Sequence, residues 1–188
     1  IRALDCGRAG ERFHVVCDFV QGESLSALLA TGKTVPEETA AILALQALEA
    51  LDYLHEQGMS HNDISPSNLM IDGENNLRLG DIGMAKSLLY QSRESWFGAS
   101  PNYAAPECIH GTSHGNMRSD LFSLGCSLYH AVSGKLPFPA GTGNATEEAA
   151  PLRSINPLAS AVFSSFLSAL TMLEADSRPS TPNQARRK

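Results

Sequence analysis

The arrangement of apolar and polar positions predicts one dominant helix in the first third of the chain. It lies within VPEETAAILALQALEALDYLHEQG, where Pro36 suits the first helical position and Gly58 suits the C-cap. Glu37 and Glu38 suit the positive end of the helix dipole. Since the polar residues recur every three or four positions, we predict a mostly buried helix with a narrow polar stripe made of Gln46, Glu49, Asp52 and Glu56.

Two more apolar stretches predict helices in the second half. SDLFSLGCSLYHAVSG is almost wholly apolar and ends at a glycine, and a last helix is predicted around LASAVFSSFLSALTMLEAD. A short helix, LSALLA, is predicted after QGES. These three segments and the first helix make the chain mostly helical.

Strands are predicted near the start and in the middle of the chain. IRALDCG and RFHVVCDFV flank a turn at RAGE, and NLMID and NLRLGD flank GENN, which is a hairpin pattern. Residues 81–107 show little periodicity, and connections of this length are usually functional or disordered. We therefore predict an α+β fold, mostly α, with a few strands at its N-terminus.

Composition and charge narrow the functional classes. The 188 residues, 43% hydrophobic and 18% charged, are typical of a soluble globular protein of one domain, or one domain with part of another. The net charge of −6, with scattered basic residues, argues against a nucleic-acid surface. No apolar run of 18 residues predicts a membrane segment. The four cysteines lack metal-ligand spacing, so we expect reduced thiols in a cytoplasmic protein.

Three polar residues form a candidate site for chemistry. Asp63 and Asn68 share the loop HNDISPSN, and Asp81 ends the hairpin that follows, within LGDIGMAK. Because a hairpin brings its two ends together, we expect Asn68 and Asp81 to be neighbours. Their oxygens suit Mg²⁺ that holds phosphates, and Asp63 could accept a proton from a hydroxyl. Taken singly, Asp63 could instead cap a turn and Asn68 could form an Asx-turn.

These residues resemble the eukaryotic-type serine/threonine protein kinases in order and spacing. HNDISPSN resembles the catalytic loop H-R-D-x-x-x-x-N, DIG resembles D-F-G, and YAAPE resembles the A-P-E end of the activation segment. GASPNYAAPE is similar to the substrate-facing loop, RSDLFSLGCSLYHAVSGKLPF to the central helix of the large lobe, and EADSRPS to the closing Arg-Pro segment. The resemblance runs from the first strands to about residue 180.

The resemblance implies roles for the candidate residues. Asp63 would be the base that orients the substrate hydroxyl, and Asn68 and Asp81 would hold the metal ions that bridge the ATP phosphates. Met70 would form the floor beneath the adenine, and the backbones of Asp18 and Val20 would contact its edge.

It also implies supporting roles. Glu107 and Arg178 would form a buried ion pair, and Asp120 would hold the backbone of the catalytic loop. Cys17 would take the gatekeeper position and His61 a packed structural position. Among the serines considered, Ser92 and Ser95 are interpreted as loop residues, and Ser100 matches a Ser/Thr position near the catalytic aspartate.

The sequence departs from the family pattern at three places. Asn62 stands where the family has the arginine that pairs with a phosphorylated activation segment. Ser65 stands in the catalytic loop where serine/threonine kinases have a lysine that neutralises the transferred phosphate. Ile82 replaces the phenylalanine of D-F-G.

The resemblance divides the chain into two parts. Residues 1–20 would be the last strands of the small lobe and the start of the hinge, and residues 21–188 the large lobe. The Gly-rich loop, the strand lysine and the helix glutamate of the small lobe have no counterpart here, and the chain starts at Ile1. We therefore expect a fragment that alone does not catalyse efficiently.

Function follows as an expectation with two alternatives. The expected reaction transfers the γ-phosphate of ATP, with Mg²⁺, to a Ser or Thr hydroxyl of a protein, because Tyr103 stands where tyrosine kinases usually carry tryptophan. A pseudokinase that serves as a binding or scaffold module is one alternative. A small-molecule kinase of the aminoglycoside or choline type is the other, but such proteins lack the YAAPE, SDLFSLG and RPS blocks.

Overall fold

The structure is a computed structural model that describes residues 1–81, 86–87, 101–113, 115–139 and 141–187. Its strands are β1 (Ala3–Ala9), β2 (Arg12–Cys17), β3 (Gly22–Ser24), β4 (Met59–Ser60), β5 (Leu69–Asp72), β6 (Leu77–Leu79) and β7 (Lys86–Ser87). Its helices are α1 (Leu25–Ala30), α2 (Glu37–Glu56), α3 (Pro106–Ile109), α4 (Met117–Ser133), α5 (Leu152–Ile155), α6 (Ala161–Leu170) and α7 (Pro182–Ala185). The predicted α+β class, mostly α with few strands, is confirmed.

The strands pair into small antiparallel sheets. Strands β1 and β2 form the predicted N-terminal hairpin, which turns at Gly10, where φ is 63°. A second sheet has the order β3-β5-β6, and β4 pairs with β7. Because β5 and β6 pair Leu69 with Leu79, the predicted hairpin between NLMID and NLRLGD is confirmed.

Helix α2 forms where it is predicted, with a boundary that differs by one residue. It begins at Glu37, and Pro36 precedes it in an extended conformation with ψ of 146°. At the other end Gly58 has φ of 68°, a left-handed conformation that glycine adopts without a Cβ clash and that stops the helix.

The prediction of a mostly buried α2 with a narrow polar stripe is wrong. Ile42, Leu45 and Tyr53 are 54%, 55% and 64% exposed, whereas Gln46 is half-buried. Gln46 Oε1 accepts a hydrogen bond from the backbone N–H of Leu77 at 2.8 Å. The amide therefore faces the β5–β6 hairpin, and the exposed part of α2 includes apolar side chains beside the polar ones.

Helix α4 lies at the centre of the fold. It begins with a capping box between Asn116 and Ser119 and ends at Gly134, where φ is 68°. It packs against α2 and α6, and almost every one of its residues is buried. Full burial of a leucine such as Leu121 or Leu124 contributes about 1.5–3 kcal/mol, so this helix anchors the large apolar core.

The last predicted helix is shorter in the structure. Helix α6 ends at Leu170 and is followed by a 3-10 turn at Ala175–Ser177, so TMLEAD is not part of it. No helix in the described ranges is long and apolar enough to cross a membrane.

All four cysteines are free thiols, in two different environments. Cys108 and Cys126 are buried, as expected of small hydrophobes, and burial raises the pKa of the Cys108 thiol to about 12. Cys6 and Cys17 lie on the β1–β2 hairpin, and both are exposed.

Candidate active site

The loop between β4 and β5 is held by the buried carboxylate of Asp120, a residue of α4. Asp120 Oδ2 accepts from the His61 backbone N–H at 2.8 Å, and Oδ1 accepts from the Asn62 backbone N–H at 2.7 Å. Asp120 is 1% exposed, and burial raises its pKa to about 7 although both hydrogen bonds favour the ionised form. The predicted support of this loop by Asp120 is therefore present.

His61 links the same loop to the end of β6. Its side chain is fully buried, and its Nε2 donates to the Gly80 carbonyl at 3.0 Å. Burial lowers its pKa below the usual range, which keeps the imidazole neutral. The sequence predicts a packed structural histidine here, and the structure confirms that position.

Asn68 and Asp63 are joined directly across the loop. The side-chain Nδ2 of Asn68 donates to Asp63 Oδ2 at 2.9 Å and to the Asp63 backbone carbonyl at 2.8 Å. Because the amide nitrogen is used in this way, the amide oxygen of Asn68 is the atom that could bind a cation.

Asp81 follows directly after a backbone contact to Asn68. The Gly80 N–H donates to the Asn68 carbonyl at 2.8 Å, and Asp81 is near enough to His61 for its negative charge to favour the imidazolium form. Asp81 has φ of 54°, a left-handed conformation that aspartate tolerates better than most residues. The hairpin thus brings Asn68 and Asp81 together as its spacing predicts.

The oxygen atoms at this end of the hairpin fit a hard cation. A carboxylate from Asp81 and an amide oxygen from Asn68 are ligands that Mg²⁺ accepts while it keeps waters and binds phosphate oxygens. The geometry of the hairpin supplies the proximity, and the bond from Asn68 to Asp63 fixes the orientation of the amide.

Ser65 and Asn62 occupy two positions at which serine/threonine protein kinases usually have basic residues. Ser65 is 5% exposed, and its carbonyl accepts from the Asn68 N–H at 3.0 Å, which closes the turn of the loop. Asn62 has φ of 66°, and its Oδ1 accepts from the Ser60 hydroxyl at 3.2 Å. Neither side chain brings a positive charge to the loop.

Two of the three residues predicted to bind adenine line one cleft. Asp18 and Val20 line a cleft of about 630 Å³ whose other wall is formed by the β5–β6 turn and includes Asp72 and Arg78. Met70 pairs with Arg78 across the β5–β6 hairpin, and it lies next to Gly80: a Cβ on that glycine would be 3.9 Å from Met70 Cγ and 3.1 Å from Ile1 Cδ1. Arg78 and Ile1 both line the cleft. The roles of Asp18, Val20 and Met70 stay predictions.

The ion pair predicted between Glu107 and Arg178 is present. Arg178 Nη1 and Nη2 donate to the two Glu107 carboxylate oxygens at 2.7 and 2.9 Å, and the guanidinium side chain is fully buried. The same guanidinium donates to the carbonyls of Met172 and Leu173 and lies 4.5 Å from the centre of the Phe122 ring. It thereby ties α3 to α4 and to the turn after α6.

Two contacts of residues 101–105 were not predicted from the sequence. The Tyr103 hydroxyl forms a hydrogen bond with His130 Nδ1 at 2.7 Å, and the Thr142 hydroxyl contacts the carbonyls of Pro101 and Ala104 at 2.8 and 2.5 Å. A half-buried histidine near the end of an apolar helix is a weak signal for the first contact. The Pro/Gly-rich segment around Thr142 gives no signal for the second.

Some predicted positions lie outside the described residues. These are Ile82, Ser92, Ser95 and Ser100.

Comparison with known proteins identifies the family. The model of the protein kinase domain matches residues 1–186. A probable serine/threonine-protein kinase of Clostridium perfringens is 30% identical over 165 residues, which is 83% of this chain and 24% of that protein. The atypical protein kinase C of Drosophila melanogaster is 34% identical over 134 residues, 71% of this chain and 22% of that protein.

A serine/threonine-protein kinase of Arabidopsis thaliana named AtPK1/AtPK6 is 31% identical over 132 residues, 70% of this chain and 28% of that protein. The chain spans about a quarter of the length of these relatives. The match includes the segments HNDISPSN and YAAPE and the Arg178 segment, and the chain belongs to the protein kinase domain family.

Proposed function

We propose that this chain is part of a serine/threonine protein kinase that transfers the γ-phosphate of ATP to a Ser or Thr hydroxyl of a protein. The observation that carries the proposal is the contact between Asn68 and Asp63 beside the backbone of Asp81. It joins a proton acceptor and two oxygen ligands in one short loop and one hairpin, which are the groups that phosphoryl transfer needs.

Asp63 acts on the substrate hydroxyl. The hydrogen bond from Asn68 holds Oδ2 in place, so the carboxylate can accept the hydroxyl proton and aim the oxygen at the phosphate. Its backbone is fixed as well, since the preceding residue Asn62 is bonded to Asp120.

Asn68 and Asp81 would hold magnesium through the amide oxygen and the carboxylate. Mg²⁺ held by these two residues would neutralise negative charge on the phosphate during transfer. Met70 would support the adenine, and the backbones of Asp18 and Val20 would bind its edge. In this arrangement residues 1–20 end a small lobe and residues 21–188 form the large lobe.

The absence of basic side chains at Asn62 and Ser65 bears on turnover and regulation. A neutral amide cannot form the charge-assisted contact with a phosphorylated residue that arginine forms. The kinase is therefore independent of activation-segment phosphorylation, and Ser65 leaves less positive charge near the transferred phosphate. Loss of activity in the Ser92→Ala, Ser95→Ala double variant, with recovery in the corresponding Asp variants, would contradict this.

Transfer of radiolabel from [γ-³²P]ATP to a generic protein substrate by the full-length protein tests the reaction. The wild type should label the substrate, and Asp63→Asn, which keeps the shape of the side chain but not its basicity, should reduce labelling by roughly 10²–10⁴-fold. Equal labelling by both proteins would refute the proposal.

Asn62 and Ser65 favour a second function, that of a pseudokinase which binds a protein without transferring phosphate. This reading predicts no labelling by either protein. Retention of Asp63, Asn68 and Asp81, with Asn68 bonded to Asp63 and to the backbone of Gly80, is the observation against it.

A further inference from the structure

Thr142 is a buried polar residue outside the site described above. It is 0% exposed and begins the 3-10 turn Thr142–Asn144, in the Pro/Gly-rich segment that follows α4. Its hydroxyl lies 2.8 Å from the Pro101 carbonyl and 2.5 Å from the Ala104 carbonyl. Because a hydroxyl has one proton, these two carbonyls share it, and a single side chain spans the loop 101–105.

The same turn also contacts α3. His110 Nε2 donates to the Gly143 carbonyl at 2.8 Å. Gly143 approaches α3 so closely that a Cβ on it would lie 2.7 Å from Ile109 Cγ2. The turn therefore binds the chain before and after Ala105 by independent contacts, which fixes both ends of this segment.

Loop 101–105 borders the catalytic loop. Ala104 and Ala105 are 8% and 1% exposed, and with Asn62 and Asp120 they line a cavity of about 10 Å³, about the size of one water molecule. On its other side the loop is held by a hydrogen bond between the Tyr103 hydroxyl and His130. A displacement of the loop would therefore reach the backbone that carries Asp63.

We propose that Thr142 is a positioning residue that holds loop 101–105 in register with the catalytic loop. Its hydroxyl acts through the two carbonyls and touches neither ATP nor the reacting atoms. Any effect of Thr142 on the binding of a peptide substrate rests on the proposed function. Its effect on the position of loop 101–105 does not.

A pair of matched variants tests the contact in the full-length protein. Thr142→Val keeps the branched shape and removes the hydroxyl, and Thr142→Ser keeps the hydroxyl and removes the methyl group. Hydrogen–deuterium exchange of the backbone amides in residues 103–110 should become roughly 2–10-fold faster in Thr142→Val, as expected for one lost hydrogen bond. Thr142→Ser should stay within about twofold of the wild type.

The amides of α4 serve as the control for folding. They should exchange at the wild-type rate in both variants. Unchanged exchange of residues 103–110 in Thr142→Val, or equal acceleration in α4 and the loop, would overturn the proposal.

Enzyme kinetics then distinguish a loss of loop positioning from a general loss of folded structure. In Thr142→Val the KM for a peptide substrate should rise roughly 2–10-fold, the KM for ATP should not change, and Thr142→Ser should restore the peptide KM. An equal rise in both KM values, or an unchanged peptide KM despite a loosened loop, would refute the positioning role. If the wild type transfers no phosphate, the proposed function fails, and the exchange experiment alone decides whether Thr142 holds the loop.

Discussion

The side-chain nitrogen of Asn68 donates hydrogen bonds to both the carboxylate and the backbone carbonyl of Asp63, at 2.9 and 2.8 Å. An ionised aspartate at this position could not donate these hydrogen bonds, because its carboxylate only accepts. Asn68→Asp would put two carboxylates at hydrogen-bond distance, so we expect a loss of about 1–3 kcal/mol in the free energy of unfolding at pH 7.5.

Urea denaturation at pH 7.5 and pH 4.5 checks this prediction. The loss in Asn68→Asp should shrink at pH 4.5, because one proton bound by the pair removes the repulsion. Asn68→Ala is the control: it loses the hydrogen bonds without adding charge, so its loss should be the same at both pH values. A pH-independent loss in Asn68→Asp would contradict the repulsion.

Asp120 should give the stability of the domain a characteristic pH dependence. Burial raises the pKa of its carboxyl group from 3.8 to about 7, so the folded protein binds a proton where the unfolded chain has lost it. The contribution of Asp120 to stability is therefore largest at low pH. It falls as pH rises from about 4 to 7, with a slope of at most about 1.4 kcal/mol per pH unit, and is constant above that.

The comparison with Asp120→Asn isolates this effect. Unfolding free energies of both proteins, measured from pH 5 to pH 8.5, should show that the wild type loses stability relative to the variant between pH 5 and 7. His61, whose lowered pKa has the opposite influence, is present in both proteins and cancels in the difference. A difference that is constant over this range would show that Asp120 is ionised throughout.

The buried ion pair of Glu107 and Arg178 should contribute far more to the free energy of unfolding than an exposed ion pair. Arg178→Met keeps much of the side-chain volume but leaves the Glu107 carboxylate without its cation, so we expect a loss of about 3–5 kcal/mol in denaturant unfolding. Asp176→Asn breaks the exposed pair with Arg118 and should change stability little. Similar losses in the two variants would be inconsistent with the burial of Arg178.

Gly125 should tolerate no side chain, although it lies inside a helix. A Cβ there would be 2.7 Å from Leu170 Cβ and 3.0 Å from Thr171 Cγ2, so α4 and α6 would have to separate. We expect Gly125→Ala to lose about 1–2 kcal/mol in thermal or urea unfolding, because overpacking outweighs the gain in helix propensity. Ser165→Ala, at an exposed position of α6, should be neutral or slightly stabilising, and a stabilised Gly125→Ala would contradict the close contact.

Local patterns were sufficient to predict most elements and the pairing at the site. The apolar runs around Met70 and Leu79 predict a hairpin, and a hairpin necessarily places Asn68 beside Asp81. Likewise the glycines at 58 and 134 mark the ends of α2 and α4, because their left-handed conformations stop a helix whatever surrounds it.

Features set by distant neighbours could not be predicted in this way. The half-buried position of Gln46 on α2 reflects its hydrogen bond with the backbone of Leu77, 31 residues away. The contacts of Thr142 with Pro101 and Ala104 join segments about 40 residues apart. Neither contact changes the periodicity or composition of the sequence around it, so neither can be predicted from a local sequence pattern.

The left-handed backbone at Asn62 has a consequence for which residues this position accepts. Asparagine reaches φ of 66° with little strain, and here its amide also bonds to Ser60. An arginine introduced at the same φ would cost about 1 kcal/mol in backbone strain before it met any phosphate. Folding stability alone therefore favours asparagine over arginine at this position of the loop.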